Sequence, residues 1–202
     1  MSIIVVGSSA FDDIKTPRGS RKRIVGGSCI YFSFAASLKS RVKIVSVVGK
    51  DFPHKIVKTL NKKNVSTDGL VVQKGKTFSW GGKYNSDFSQ RDTLFTDLGV
   101  FEHFSPKIDG SKFKNPILFL ANIQPSLQME VINQVSDPNL IVMDTMNLWI
   151  DNNLDELNTV IKKVDILLIN DEEAVELTGV KDLYNAGLSL LKQGPKYVII
   201  KK

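Results

Sequence analysis

Short, nearly continuous apolar runs recur along the chain, and segments with apolar residues at three- and four-residue spacing separate them. The apolar runs lie at residues 3–7, 42–49, 116–122, 140–144, 165–170 and 197–202. Continuous rather than alternating apolar runs are typical of parallel strands that are covered on both faces. The segments between them predict helices, several of which begin at Asp, Asn or Ser and end near Gly. This alternation predicts an α/β fold with a doubly wound, mostly parallel sheet.

Residues 68–104 depart from this alternation. Polar and apolar side chains interleave there, with turn signals such as Gly81-Gly82 and Asn85-Ser86, and this pattern is typical of antiparallel strands. A sheet this small does not close a core of its own, so we expect it to form a lid at the edge of the main sheet, joined by residues 12–25. A lid that closes over a substrate excludes water, which matters where hydrolysis competes with group transfer.

The length and composition are typical of a single main domain. The chain has 202 residues, of which 42% are hydrophobic, enough for one substantial core. No apolar run approaches 18 residues, and no basic segment precedes the short first run, so we expect a cytoplasmic protein without a membrane span or a secretory signal. Cys29 is the only cysteine, and we expect it to be a buried structural thiol.

A net charge of +6 raises the possibility of a nucleic-acid partner. The charge is scattered, however, and its densest run, residues 18–23, contains no interleaved aromatic residues. No recognition-helix, zinc-finger or RNA-binding pattern accompanies it. We therefore expect this run to be a solvated loop, or a loop that meets phosphate, and no nucleic-acid partner.

Polar residues follow several of the predicted strands, where ligands bind in open α/β sheets. They include Ser8, Asp12, Asp51, Asn122, Asp144, Asn147, Asn170 and Glu173. A helix cap is the alternative role for each of them, and for Asp51 both roles stay open. A cap is a poor explanation for Asp12, because the segment after it does not continue as a helix.

Gly26 and Gly27 stand where a helix is predicted to begin. Because they have no side chains, a ligand could approach the backbone N–H groups closely. The aromatic residues that follow would dock the helix on the sheet, although Tyr31 could instead face the ligand.

Two common phosphate-binding motifs are incomplete. The Gly75-Lys76-Thr77 stretch lacks the first glycine of a Walker A loop, and no GxGxxG follows the first strand. Neither His54 nor His103 follows a predicted strand, so a Ser-His-Asp triad is not expected.

The order of several segments resembles the ribokinase (PfkB) family of sugar and nucleoside kinases. The segments are GSSAFDD, GGSCIYFSFAAS, VKIVSVVGKDFP, WGGKYNSDFSQRDTL, DTMNLWI and ILLINDEEAVELTG. Each is weakly specific alone, but their combination and order are specific, and the resemblance spans essentially the whole chain. It implies a ribokinase-like fold.

The resemblance also implies roles for individual residues. Asp12 would hold substrate hydroxyls, and Gly26 and Gly27 would line the substrate pocket. Asn170 and Glu173 match the family's N-x-x-E pair, which organises Mg²⁺ and the transferred phosphate through water. The remaining pocket positions, one of which carries a tyrosine where the family has asparagine, are Tyr31, Arg91, Asn122, Asp144 and Asn147.

The activity that the resemblance implies is in-line transfer of the γ-phosphoryl group of Mg²⁺-bound ATP to a hydroxyl of a sugar or nucleoside. The family's GAGD signature, with its catalytic Asp, would fall beyond Lys202. We therefore expect one domain over residues 1–202 that lacks its C-terminal part and the base, and is inactive alone. The alternative is a non-catalytic sugar-binding or vestigial chain. Because lids of this family pair between subunits, a homodimer is also expected.

Overall fold

The computed structural model describes residues 2–88, 91–110 and 113–202, which fold into two compact units. The first unit contains Met1–Val6 and Pro106–Lys202, and the second contains Gly7–Ser105. The strands are β1 (Ser2–Val6), β2 (Ala10–Thr16), β3 (Gly19–Gly26), β4 (Arg41–Gly49), β5 (Val65–Gln73), β6 (Ser79–Tyr84), β7 (Arg91–Asp97), β8 (Ile117–Leu120), β9 (Leu140–Asp144), β10 (Ile166–Asn170) and β11 (Tyr197–Lys201). The helices are α1 (Ser28–Ala36), α2 (His54–Asn61), α3 (Pro125–Gln134), α4 (Asn147–Asn152), α5 (Leu154–Ile161), α6 (Asp171–Thr178) and α7 (Leu183–Leu191), with a 3₁₀ helix, η1, at Gly99–His103.

The first unit contains five strands of the main parallel sheet, in the order β11-β10-β9-β8-β1. All four neighbouring pairs are parallel. The strand interiors are apolar and fully buried, as at Leu118, Met143 and Leu167. Helices α3 and α7 pack on β8 and β11. The inner strands are covered as the pattern predicts, but β11 exposes Tyr197 and Ile199 on one face.

The second unit contains the other two strands of this seven-stranded sheet, β4 and β5, which pair in parallel. Helix α1 packs on β4, and α2 packs on β5. Ile44, Val47 and Leu60 form part of the core between them and are completely buried. The predicted α/β fold with a mostly parallel sheet is confirmed.

The second unit also contains a separate sheet of four strands in the order β3-β2-β6-β7, called the small sheet below. The pairs β2–β3 and β6–β7 are antiparallel, but β2 and β6 are parallel. The small sheet is therefore mixed. Our prediction that it is antiparallel is wrong for the β2–β6 pair. The reason is that β2 and β6 belong to different hairpins, joined by a long connection that permits either direction.

The predicted lid boundary at residue 68 also differs from the structure. Residues 68–73 belong to β5, which pairs with β4 in the main sheet. Strand β5 is at the edge of that sheet and is half exposed, with Val71 and Val72 facing solvent. Asp68 and Gln73 stand on either side of a short apolar run at 70–72, so β5 lacks the long continuous apolar run of a buried parallel strand.

Three smaller features complete the fold. The six-residue α4 and the five-residue η1 were not predicted, because such short helices show little periodicity. Cys29 is fully buried, and burial raises the pKa of its thiol far above the ordinary value, which fits a structural role. Among the described residues, no helix is long and apolar enough to cross a membrane.

Candidate functional site

Asp12 lies in β2 of the small sheet and is partly buried. Burial, and then the neighbouring charge of Asp13, raise the pKa of Asp12 above its ordinary value of 3.8. A carboxylate in such a setting is a good acceptor for hydroxyl hydrogens, because water competes less for its oxygens.

Gly26 ends β3 directly beside Asp12. A Cβ at Gly26 would overlap the Oδ2 atom of Asp12, and it would stand 3.2 Å from the Cε2 atom of Tyr31. The glycine therefore leaves the space in which the Asp12 carboxylate and the Tyr31 ring meet.

Gly27 is the N-cap residue of α1 and has a φ of 92°, in the region that favours glycine. A Cβ there would overlap the backbone carbonyl oxygen of Ser8. That oxygen accepts a hydrogen bond of 3.0 Å from the Cys29 N–H, and the Ser8 hydroxyl accepts one of 3.3 Å from the Ser28 N–H. The space left by the two glycines is therefore occupied by the Asp12 carboxylate and the Ser8 backbone. Ser8 also accepts hydrogen bonds from the Ser28 and Cys29 N–H groups, so these two groups of the first turn of α1 are not open to a ligand, although the sequence had suggested that they would be.

Tyr31 projects from α1 and is 55% exposed, whereas its neighbours Cys29 and Ile30 are buried. The pKa of Tyr31 is raised, first by burial of its hydroxyl and then by nearby Asp12 and Tyr84. Of the two alternatives for Tyr31, docking on the sheet is therefore wrong, because the buried face of α1 consists of other residues.

Trp80 and Arg91 bring further groups beside Asp12. Trp80 is the register partner of Asp12 in the parallel β2–β6 pair. Its indole Nε1 donates a hydrogen bond of 3.3 Å to the Thr93 hydroxyl, and the Arg91 guanidinium lies 5.5 Å from the ring centroid. A Cβ at Gly82 would overlap the indole ring. Trp80 is not among the site residues predicted from the sequence, although the glycine two residues after it could have indicated that its ring lies over the sheet.

Asp51 follows β4 but caps no helix. The N-cap residue of α2 is Pro53, and Asp51 instead accepts hydrogen bonds from the backbone and hydroxyl of Thr77. Of the two roles left open for Asp51, the helix cap is therefore excluded.

The first unit brings together the residues that follow β8 and β9. The Asn122 amide donates to the Met146 sulfur at 2.9 Å, and its oxygen accepts a bond of 2.7 Å from the Trp149 indole. Asp144 ends β9 and forms an ion pair of 2.9 Å with Lys201, at the end of β11. Asn147 begins α4 and donates to Glu176. Each of these polar side chains therefore has a partner within the unit.

Asn170 and Glu173 form a reciprocal capping box at the start of α6. The Asn170 side chain accepts from the Glu173 N–H at 2.7 Å, and the Glu173 carboxylate accepts from the Asn170 N–H at 2.9 Å. Glu173 is 5% exposed. Within the described part of the chain, no group of three His, Cys, Asp or Glu residues could hold a metal ion directly.

The fold and these residues define an α/β protein with a small mixed sheet, and comparison with known families gives the family to which it belongs. Residues 26–202 match the pfkB family of carbohydrate kinases, so the chain belongs to this family. It is accordingly a phosphotransferase that uses ATP to phosphorylate an alcohol group of a sugar or nucleoside.

Individual relatives are more distant. A cytidine kinase of Thermococcus kodakarensis is 24% identical over 204 residues, covering 99% of this chain and 72% of that protein. The nucleoside kinase of Burkholderia thailandensis in complex with inosine superimposes with a TM-score of 0.75 at 14% identity, covering 99% of this chain and 70% of that one. A fructokinase with bound ATP from Xylella fastidiosa has a TM-score of 0.75 at 17% identity, covering 99% of this chain and 71% of that one.

Proposed function

We propose that the chain binds a sugar or nucleoside acceptor on the small sheet of its second unit, and that Asp12 holds the acceptor's hydroxyl groups. The observation that carries this proposal is the Asp12 carboxylate beside the bare α-carbon of Gly26, with the exposed Tyr31 ring next to it. The raised pKa of Asp12 supports it, because partial removal from water strengthens hydrogen bonds from acceptor hydroxyls. Gly27 has a supporting role, because it fixes the start of α1 and hence the position of Tyr31.

Nucleosides are the acceptors that we favour. Tyr31 and Trp80 offer aromatic rings on either side of Asp12, and a nucleobase stacks on such rings with about 1–3 kcal/mol per base. Arg91, over the Trp80 ring, would add a cation at the edge of this surface. Two of the relatives named above are nucleoside kinases, which agrees with this choice.

Asn170 and Glu173 are the residues that we assign to the nucleotide side. ATP supplies the phosphoryl group, with Mg²⁺ balancing the charge of its phosphates. The chemistry of Glu173 fits this role, because carboxylate oxygens are the ligands that Mg²⁺ prefers, and a single carboxylate acts through water. Asn122, Asp144 and Asn147, which the resemblance places among the substrate-binding residues, keep that role as a prediction.

Titration calorimetry with cytidine, inosine, ribose and fructose tests the acceptor site. We expect binding of at least one of the nucleosides, and Asp12→Ala should abolish it. Asp92→Ala, which removes an exposed carboxylate from β7 of the same sheet, is the matched control and should bind normally. Wild-type affinity in Asp12→Ala would contradict the assignment.

An ADP-release assay with Mg²⁺ and ATP tests whether the chain transfers the phosphoryl group by itself. Acceptor-dependent ADP formation would contradict the expectation that the chain is inactive alone and would exclude a non-catalytic binding chain, whereas acceptor binding without ADP formation fits both. A homodimer formed through the small sheet and a cytoplasmic location stay predictions, and sedimentation velocity tests the first of them.

A further inference from the structure

Arg23 in β3 makes an unusual set of contacts for an exposed side chain. Its backbone has a φ of 53°, in the left-handed region, and its N–H donates a hydrogen bond of 2.7 Å to Asp13. Its guanidinium lies 4.0 Å from the centroid of the Phe11 ring and 3.2 Å from the Asp51 carboxylate. Arg23 thus contacts β2 at two positions and also the loop that follows β4.

Asp51 is itself held by the segment that leads into β6. Its Oδ1 atom accepts hydrogen bonds of 2.8 Å from the Thr77 N–H and 2.7 Å from the Thr77 hydroxyl. The Thr77 hydroxyl also accepts a bond of 3.0 Å from the Gly49 N–H, and Thr77 is 2% exposed. Burial acts to raise the pKa of Asp51, but the bonds from Thr77 and Arg23 outweigh it and lower the pKa below 3.8.

These contacts join three strands of the small sheet at one end. Phe11 belongs to β2, Arg23 belongs to β3, and Thr77 stands two residues before β6. We name Phe11, Asp13, Arg23, Asp51 and Thr77 the Arg23 cluster. The Arg23–Asp51 ion pair is at the centre of this cluster.

The Arg23 cluster lies on the face of β2 opposite Asp12. Successive side chains of a strand point to opposite faces, so Phe11 and Asp13 face away from the side that carries Asp12. Arg23 contacts both of these flanking residues, and it precedes Gly26 by three positions along β3. A movement of Arg23 would therefore displace both Asp12 and the backbone that lies against it.

We propose that Arg23 is a positioning residue that fixes the Asp12 carboxylate against Gly26, through the ion pair of its side chain with Asp51 and the contact of that side chain with Phe11. This inference rests on the proposed role of Asp12 in acceptor binding. Stability is a poor alternative explanation for the ion pair, because the Arg23 side chain is 59% exposed and exposed pairs contribute little to the free energy of unfolding. The ion pair acts by fixing the positions of β2 and β3, and not by adding to the free energy of unfolding.

Acceptor affinity, measured by calorimetry with cytidine and inosine, tests the proposal. Arg23→Ala is expected to weaken acceptor binding about 3- to 30-fold, the range of energetic coupling through packed networks, and to leave Mg-ATP affinity unchanged. Arg23→Lys restores the charge without the planar fork and should give an intermediate affinity. Lys22→Ala, which removes the neighbouring exposed charge of β3, should bind like the wild type.

Arg23→Gly separates positioning from folding. Glycine adopts the left-handed backbone of this position more easily than any other residue, so this variant should keep its thermal stability and still lose acceptor affinity. In a double-mutant cycle, Asp51→Asn should add little to the effect of Arg23→Ala, since both remove the same pair. Wild-type acceptor affinity in both Arg23→Ala and Arg23→Gly would overturn the proposal, as would an equal loss of Mg-ATP affinity.

Hydrogen exchange gives a readout that does not depend on acceptor binding. In Arg23→Ala, the amides of residues 10–14 and 26–29 should exchange faster than in Lys22→Ala, while the amides of β4 stay protected. If no acceptor binds the wild type but this exchange pattern appears, the proposed function fails and the structural coupling holds. If acceptors bind and the exchange is unchanged, the positioning role of Arg23 is wrong.

Discussion

The carboxylate of Asp12 lies against the α-carbon of Gly26, in the place where any other residue would carry its Cβ. The contact joins adjacent strands, because Asp12 pairs with Ile24 and Ala10 pairs with Gly26 in the β2–β3 register. A glycine at this position is thus a steric requirement for the Asp12 rotamer, and not a requirement for backbone flexibility.

Gly26→Ala is expected to reduce acceptor affinity about 10- to 100-fold, because a displacement of about 1 Å at a binding carboxylate has effects of this size. The loss of stability should be small, since the overlapping atom is the end of a side chain that can rotate away. Calorimetry and thermal unfolding of the same variant measure the two effects.

Gly187→Ala is the matched control for this substitution. Gly187 lies in α7, where a Cβ would meet only the Cδ1 atom of Ile200, at 3.7 Å. Alanine should therefore stabilise the helix by up to about 1 kcal/mol and leave acceptor binding unchanged. If Gly26→Ala behaves like this control, Asp12 does not need the space above Gly26.

The raised pKa of Asp12 predicts a dependence of acceptor affinity on pH. The acceptor's hydroxyl hydrogens need the ionised carboxylate, so affinity should be constant near neutral pH and should fall as the pH decreases through a midpoint above 3.8. Calorimetry between pH 3 and 8 measures this midpoint. A midpoint at or below 3.8 would contradict the burial of the carboxylate.

Asp12→Asn should have opposite effects on stability and binding. Because the folded state raises the pKa of Asp12, it binds the proton more tightly than the unfolded state, and the ionised group opposes folding above the unfolded pKa. Relative to the wild type, Asp12→Asn should therefore gain more free energy of unfolding at pH 7 than at pH 4, while acceptor binding is lost. Urea unfolding at both pH values measures the change, and lower stability of Asp12→Asn at pH 7 would contradict it.

The sequence predicted those features that depend on neighbouring residues. The run at 140–144 is a strand with the predicted bounds, because a continuous apolar run is a local signal. Asn170 and Glu173 are three residues apart, so a cap was foreseeable as one role for the pair. Strand β5 was assigned to the wrong sheet, because its half-exposed pattern depends on its place at an edge.

Contacts between distant segments could not be predicted in this way. Asp51 and Thr77 are 26 residues apart, and nothing near either residue indicates the other. The sequence marked Arg23 only as part of a basic run, and its place between Phe11 and Asp51 depends on the pairing of β2 with β3. The cluster that supports Asp12 was therefore visible only in the folded chain.

Gly27→Ala should destabilise the chain through two separate effects. Its φ of 92° is unfavourable for alanine, and the added Cβ would overlap the backbone of Ser8, which cannot rotate away. Backbone strain alone contributes about 1–3 kcal/mol. Gly179→Ala isolates this strain, because Gly179 has a φ of 70° and no atom within 4 Å of an added Cβ. Urea unfolding should show a larger loss for Gly27→Ala, and equal losses would exclude the overlap.

The capping box at α6 allows structural and nucleotide-binding roles to be separated. Asn170→Ala should lower the free energy of unfolding by about 1 kcal/mol, because the Glu173 N–H loses its partner. Asn170→Ser and Glu173→Gln both preserve a capping box, so their stability should stay close to that of the wild type. If the pair organises Mg-ATP as proposed, both variants should nevertheless bind Mg-ATP more weakly.

Glu172→Gln is the control, because Glu172 is an exposed acid in the same first turn and lies outside the capping box. It removes the same charge from the helix N-terminus, so any general effect of the helix dipole appears in it as well. A selective loss of Mg-ATP affinity in Glu173→Gln, larger at low Mg²⁺ than at high Mg²⁺, would support a role beyond capping. Normal Mg-ATP binding by both Asn170→Ser and Glu173→Gln would show that the pair only begins the helix, and the nucleotide role would then belong to other residues.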